Sequence, residues 1–284
     1  MAINHHGPHA HAADPIAKKF VRRQTNSGRG GVLYSMSAIL SSRIFCVLLA
    51  IVLAGCEHGA TSIDQIIEKN TNAMGGRAAM EAINSIQINL HIVDPTFEVD
   101  GVYRAMRPGW MRIDITAGGK HVYTEALNGE RAWQWKGEGD PISENAQATA
   151  ALRHGVELPG KLFGLHEMRQ RGHQIILTAR EQIDGINYHV LRITLADGYT
   201  TSAYVDPKTW FIKRRRDVRP LHPDVDPRPT TIEYQSADFR KIGGVYFGFS
   251  NTDTELATGK ILERTTITGI TLNPNFDAAI FDRL

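Results

Sequence analysis

The chain has 284 residues, with 32 Lys and Arg against 30 Asp and Glu, a formal net charge of +2, and 2 cysteines. So balanced a charge excludes the broad basic footprint of a nucleic-acid binder. Two cysteines are too few for a disulfide framework or a Cys-rich zinc site.

The first signal in chain order is Leu53-Ala54-Gly55-Cys56, closing the apolar run Ile44–Ala54. A spanning helix needs roughly 20 apolar residues and this run is about half that, so it reads as a signal-peptide core. Arg43 supplies its positive flank, and Met36 stands where an initiator belongs. The four closing residues match a bacterial lipobox, with cleavage between Gly55 and Cys56 and a lipid on the Cys56 thiol. Residues 1–55 are therefore expected to be removed, including the His5, His6, His9 and His11 tract, which is a compositional hint of metal binding only. That leader holds Lys18, Lys19, Arg22, Arg23, Arg29 and Arg43 against Asp14 alone, so the chain from Cys56 onward is mildly acidic. Cys46 lies in the signal core, which leaves no free thiol beyond Cys56. Residues 56–61 form a tether and 62–284 a single domain.

Ser62-Ile63-Asp64-Gln65 has capping-box spacing and predicts a helix from about Ile63, with Ile63, Ile66, Ile67 and Met74 on its apolar face and Gly75-Gly76 as its stop. A second short turn of helix is expected over Ala78–Ile83. From Ser85 the period switches to two, and Ile86, Ile88, Leu90 and Ile92 mark a half-buried strand. Further strands are expected at 99–106, 110–116, 120–127, 131–135, 174–181, 186–195, 200–205, 211–218, 230–241, 245–254 and 260–272. Asn128-Gly129, Asp184-Gly185, Asp197-Gly198 and Asp206-Pro207 supply the turns between them. Helical pattern interrupts only between 143 and 170, with an Ala-rich start at Ala146 and a second start around Pro159. The fold class is mainly β with a few helices (α+β). About a dozen antiparallel strands with short turns predict a strongly curved sheet forming an unclosed barrel, with helices near 63–83 and 145–170 as lid or plug.

This order of elements resembles the LolA/LolB superfamily of bacterial lipoprotein carriers and outer-membrane lipoprotein-sorting proteins. The resemblance rests on Ala73-Met74-Gly75-Gly76, Asn128-Gly129 with Trp133, Ile183-Asp184-Gly185, Tyr204-Val205-Asp206, and the closing Ile270-Thr271-Leu272-Asn273 with Phe276-Asp277 and Phe281. It implies a hydrophobic cavity for lipid or the acyl chains of lipoproteins, partners that are lipid, an acylated protein or a periplasmic carrier, and no catalysis. Glu57 in place of Asp after the lipidated cysteine implies the outer membrane, so the chain is expected in the cell envelope, lipid-anchored and facing the periplasm. An envelope-stress sensor or protein-interaction module of the same fold is the alternative, and a surface hydrolase ranks third.

Trp110, Trp133, Trp135, Tyr188, Leu162, Phe163 and Leu165 are candidate cavity lining, with core packing as the plainer role for each. In Lys213-Arg214-Arg215-Arg216, strand alternation sends Lys213 and Arg215 to one face and Arg214 and Arg216 to the other. The run reads first as a solvated face or cavity rim, with Arg214 and Arg216 as candidate contacts for an anionic lipid head group in the sharper alternative. Leu221-His222-Pro223-Asp224-Val225-Asp226-Pro227 gathers metal-compatible side chains but reads as a Pro-rich loop. No metal or cofactor is assigned, and no G-x-S-x-G nucleophile motif is present.

Overall fold

The computed structural model describes residues 61–219 and 228–282. The lipobox with Gly55 and Cys56, the leader and Met36, and the 221–227 loop lie outside the described residues.

Helix α1 (Ile63–Met74) starts at the Ser62 capping box: the Ser62 hydroxyl accepts from Gln65 N at 3.2 Å, and the Gln65 side chain accepts from Ser62 N at 2.9 Å. Two otherwise orphaned amides are satisfied at once. Gly75, at φ +130°, ends the helix where a Cβ would meet the carbonyl oxygen of Gly244 at 2.2 Å. A side chain there would prise the helix from the strand turn beneath it. Helix α2 (Arg77–Glu81) comes directly after it.

The strands are β1 (Ser85–Val93), β2 (Glu98–Met106), β3 (Trp110–Ala117), β4 (Lys120–Asn128), β5 (Ala132–Trp135), β6 (Ile142–Ser143), β7 (Gln174–Ile183), β8 (Ile186–Thr194), β9 (Thr200–Val205), β10 (Ile212–Arg219), β11 (Thr230–Ile242), β12 (Val245–Glu255) and β13 (Ile261–Leu272). Helix α3 (Ala146–Glu157) lies between β6 and β7, opened by Asn145 capping Ala148 N at 2.9 Å. A second α-helix does not begin at Pro159. The chain instead makes a tight turn at Gly160, whose N–H donates to Phe163 O, and then a single 3-10 turn over Leu165–Glu167.

All thirteen strands belong to one sheet in the order β6-β5-β4-β3-β2-β1-β13-β12-β11-β10-β9-β8-β7. Two meanders, β1 to β6 and β7 to β13, are joined where β1 pairs antiparallel with β13, with Ile86 opposite Leu272. The sheet is open, as expected, but it is not strongly curled, and this overturns the expectation of a strongly curved, barrel-like sheet. Closure needs a full ladder between the outermost strands. Here β6 is two exposed residues long, and no ladder joins it to β7 among the described residues. The apolar face is buried by another route. Helix α3 packs on β3, β4 and β5, whereas α1 packs on β7 and β12.

Two apolar clusters result. One gathers Ile86, Ile88, Tyr103, Met111, Leu127, Phe247, Phe249 and Ile267 with Val156, Leu162 and Phe163. The other gathers Ile175, Leu191, Ile193, Ala203 and Val205 with Ile66, Leu158, Leu165 and Met168. The alternate residues of β8 to β11 face the other way, where Arg214 and Arg216 share Glu233, and Arg216 also reaches Glu181 and the Tyr204 hydroxyl.

Candidate functional site

A cavity of about 410 Å³ lies between the helix-covered face of the sheet and the 155–165 segment. Its volume falls within the roughly 300–1,000 Å³ span of small-molecule sites. One side of the wall is apolar: Ile88, Leu90 and Ile92 of β1, Ile113 of β3, Ile193 of β8 and Ala203 of β9, roofed by Met74, Met80, Leu158 and Leu165.

The other side is polar, and strand register makes it so. Ala203 pairs with Arg215, Arg215 with Tyr234, Tyr234 with Asp253, and Asp253 with Glu263, so one row crosses β9 to β13. The next row holds Ser236, Asn251 and Thr265. Within these rows Arg215 Nε donates to Asp217 at 3.1 Å and the Tyr234 hydroxyl to Asn251 at 2.6 Å. Burial pushes the Tyr234 phenol up to about 12 and raises the Asp253 carboxyl despite the nearby Arg219 and Arg215 charges.

Lys161 completes the wall from above. It sits in the turn between buried Leu158 and Leu162, and its Nζ lies 4.3 Å from the centre of the Tyr103 ring. Its side chain is exposed on the cavity wall, amid densely packed surrounding protein. Burial, and to a lesser degree the like charge of Arg215, pushes its ammonium down to about 8. The Tyr103 hydroxyl is buried and has no hydrogen-bond partner.

The 159–168 segment is pinned by Arg107. Its guanidinium donates to Glu167 at 2.7 and 3.2 Å, to Leu162 O at 2.7 Å and to Ile83 O at 2.8 Å. The Phe163 ring is approached by two cations, Arg107 at 4.6 Å and Arg171 at 3.4 Å.

Of the side chains singled out in the sequence, Leu165 forms part of the cavity wall, and Leu162 and Phe163 lead from Lys161 into the larger core cluster. Trp133 is buried and donates its indole N–H to Phe281 O at 3.0 Å, while the Trp110 ring packs against Phe281. Trp135 donates to Gly139 O, and Tyr188 lies in a separate cluster with Val190 and Tyr204. Arg214 borders the cavity, but its guanidinium is bound to Glu233 and Asp184, and Arg216 is held by Glu233 and Glu181. Sequence pattern does not single out Arg215, Lys161 or Tyr103 as site residues. For Arg215 the signal is the alternation itself, which sets it apart from its two neighbours. Among the described residues no group of three or more His, Cys, Asp or Glu side chains is placed to hold a metal ion.

No protein-family model matches the chain, and no curated protein matches it. Solved structures that share its fold include two from bacteria. A LolA superfamily protein from Nitrosomonas europaea superposes with a TM-score of 0.50 at 13% identity, covering 79% of this chain and 99% of its own. A DUF1329 family protein from Desulfovibrio piger superposes with a TM-score of 0.51 at 11% identity, covering 78% and 97%. These likenesses show a shared fold with one LolA superfamily protein and one DUF1329 family protein.

Proposed function

We propose that this chain is a lipid-anchored envelope protein that holds lipid, or the acyl chains of a lipoprotein, in its cavity without catalysing a reaction. The observation that carries this reading is the cavity itself: a concave space, open on one side, whose β1, β3 and β8 wall is purely aliphatic. Burying apolar chain there is favourable at roughly 25 cal/mol per Å² removed from water. The shared fold with a LolA superfamily protein supports a carrier role. The lipobox supplies the anchor, and Cys56 would hold the cavity next to a membrane source of lipid.

The test uses the full-length chain carrying Cys56→Ala, purified and analysed by mass spectrometry of its organic extract. Stoichiometric lipid or acylated peptide is expected. Gly155, in α3 on the cavity wall, has no atom within 4 Å of where a Cβ would stand. Gly155→Phe replaces a poor helix former at a wall position with room for a side chain, and is expected to keep the fold, narrow the cavity and lose most of the bound lipid. An empty protein that also leaves a fluorescent acyl probe unbound would overturn the reading.

A further inference from the structure

The cavity wall contains one charge that the protein itself does not answer. Arg215 is compensated: Asp217 takes its Nε, and Asp253 and Glu263 flank it along the same side of the sheet. Thr265 donates to Glu263 at 2.9 Å, so that carboxylate is engaged within its own strand. Lys161 differs. Its ammonium lies over the Tyr103 ring, and among the described residues no carboxylate or carbonyl pairs with it. The same tyrosine carries the buried hydroxyl with no partner, on a side chain only 5% exposed. Buried polar groups are nearly always hydrogen-bonded, and one that is not calls for a partner. Two unmet donors, an ammonium and a phenol, thus converge on one ring at the junction of the aliphatic β1–β3 wall and the polar rows.

We propose that Lys161 and the Tyr103 hydroxyl form the head-group end of the cavity and bind the anionic oxygen of an acidic amphiphile, a carboxylate or a phosphate, whose chain lies along β1, β3 and β8. This rests on the lipid-binding reading and narrows it, because the acyl chains of a lipoprotein bring no such anion of their own. Arg215 adds long-range attraction from across the cavity, and Glu263 and Asp253 disfavour an anion placed further toward β12 and β13. The charge position therefore fixes which way round the amphiphile lies.

The full-length Cys56→Ala chain, delipidated, would be titrated with palmitate, hexadecyl phosphate and hexadecanol in competition with a neutral fluorescent acyl probe. The two anions should bind at least about tenfold more tightly than the alcohol, the scale of one charge-assisted hydrogen bond. Lys161→Met should abolish that preference and leave hexadecanol affinity within about twofold. Lys161→Arg should restore most of it. Tyr103→Phe, which keeps the ring and removes only the hydroxyl, should cost the anions severalfold and the alcohol nothing, so the proposal stays testable if Lys161→Met folds poorly. Tighter binding of hexadecyl phosphate than palmitate would identify a phospholipid source, and the reverse a free fatty acid. Equal affinity for all three amphiphiles overturns the head-group site but leaves the lipid cavity standing. An anion preference that survives both Lys161→Met and Tyr103→Phe overturns the residue assignment, and failure of every amphiphile to bind overturns the lipid reading itself.

Discussion

At the scale of single residues, Lys161 makes the cavity sensitive to pH. Its ammonium titrates at about 8 in place of 10.5 because burial, and then Arg215, disfavour the charge. Burial also raises the Tyr103 and Tyr234 phenols, the latter to about 12, and the Asp253 carboxyl. Between about 8 and 10.5 the unfolded chain binds the proton that the folded chain has released, so stability rises with pH across that window. Below it the full cost of the buried charge is present. The unfolding free energy, measured by urea denaturation at successive pH values, should therefore climb from pH 8 upward in the parent chain. In Lys161→Met the curve should lose this component. A difference curve that is flat from pH 7 to 10.5 would show that the ammonium is solvated as in water.

At the scale of elements, the 159–168 segment illustrates how little hydrogen-bonded secondary structure is needed to place a functional side chain. It holds one 3-10 turn, yet Arg107 ties it to the end of α2 and the β2–β3 turn through Ile83, Leu162 and Glu167. Burial alone would raise the Glu167 carboxyl, but hydrogen bonds from Arg107 and the Gly164 amide, with the Arg107 charge, hold it below its ordinary 4.5. A depressed carboxyl contributes stability above its unfolded pKa and loses it as pH falls through the folded value. Glu167→Gln should cost about 3 kcal/mol at neutral pH, since it leaves a largely buried guanidinium without its counter-charge. Chemical denaturation reads that loss, and the variant should also show less unfolding on acidification than the parent. Such a pin is not legible in the sequence, because Arg107 and Glu167 are 60 positions apart. What is legible is local. The Ser62 capping box, the Asn145 cap, and the Asp184-Gly185 turn, with φ of 49° and 77°, each satisfy their chemistry within a few residues. The alternation of Arg214, Arg215 and Arg216 is also legible, but not which face carries the cavity. That depends on where β11 to β13 place Tyr234, Asp253 and Glu263. The sheet's lack of strong curl is hidden for the same reason: alternation specifies faces, whereas curvature is decided by how the strands twist and by what the helices cover.

At the scale of the whole molecule, the strand order places the last strand of the chain in the middle of the sheet. β13 pairs with β1 on one side and β12 on the other, so it is the only ladder partner that the two meanders share among the described residues. Beyond it, Asn273 receives the Asn84 N–H at 2.7 Å, and Phe281 is fully buried beside Trp110 and accepts from Trp133. The sheet thus cannot be completed until nearly the whole chain is available, and the pairing of β1 with β13 closes a very long loop before it is rewarded. Refolding should consequently be slow for the chain's size, in the range from milliseconds to seconds or longer that non-local β topologies show. Position in the sheet, not distance from the terminus, should decide what can be lost. Removing residues 261–284 deletes the central strand, separates β1–β6 from β7–β12, and strips Phe281 from Trp133. The truncated chain should show no cooperative thermal transition. Ile142→Ser, in the two-residue edge strand and 51% exposed, should shift stability by no more than about 0.5 kcal/mol. Circular dichroism melting of both variants separates the cases. A truncated chain that still melted cooperatively would mean that each meander is a folding unit of its own, with β13 joining two stable halves instead of creating one.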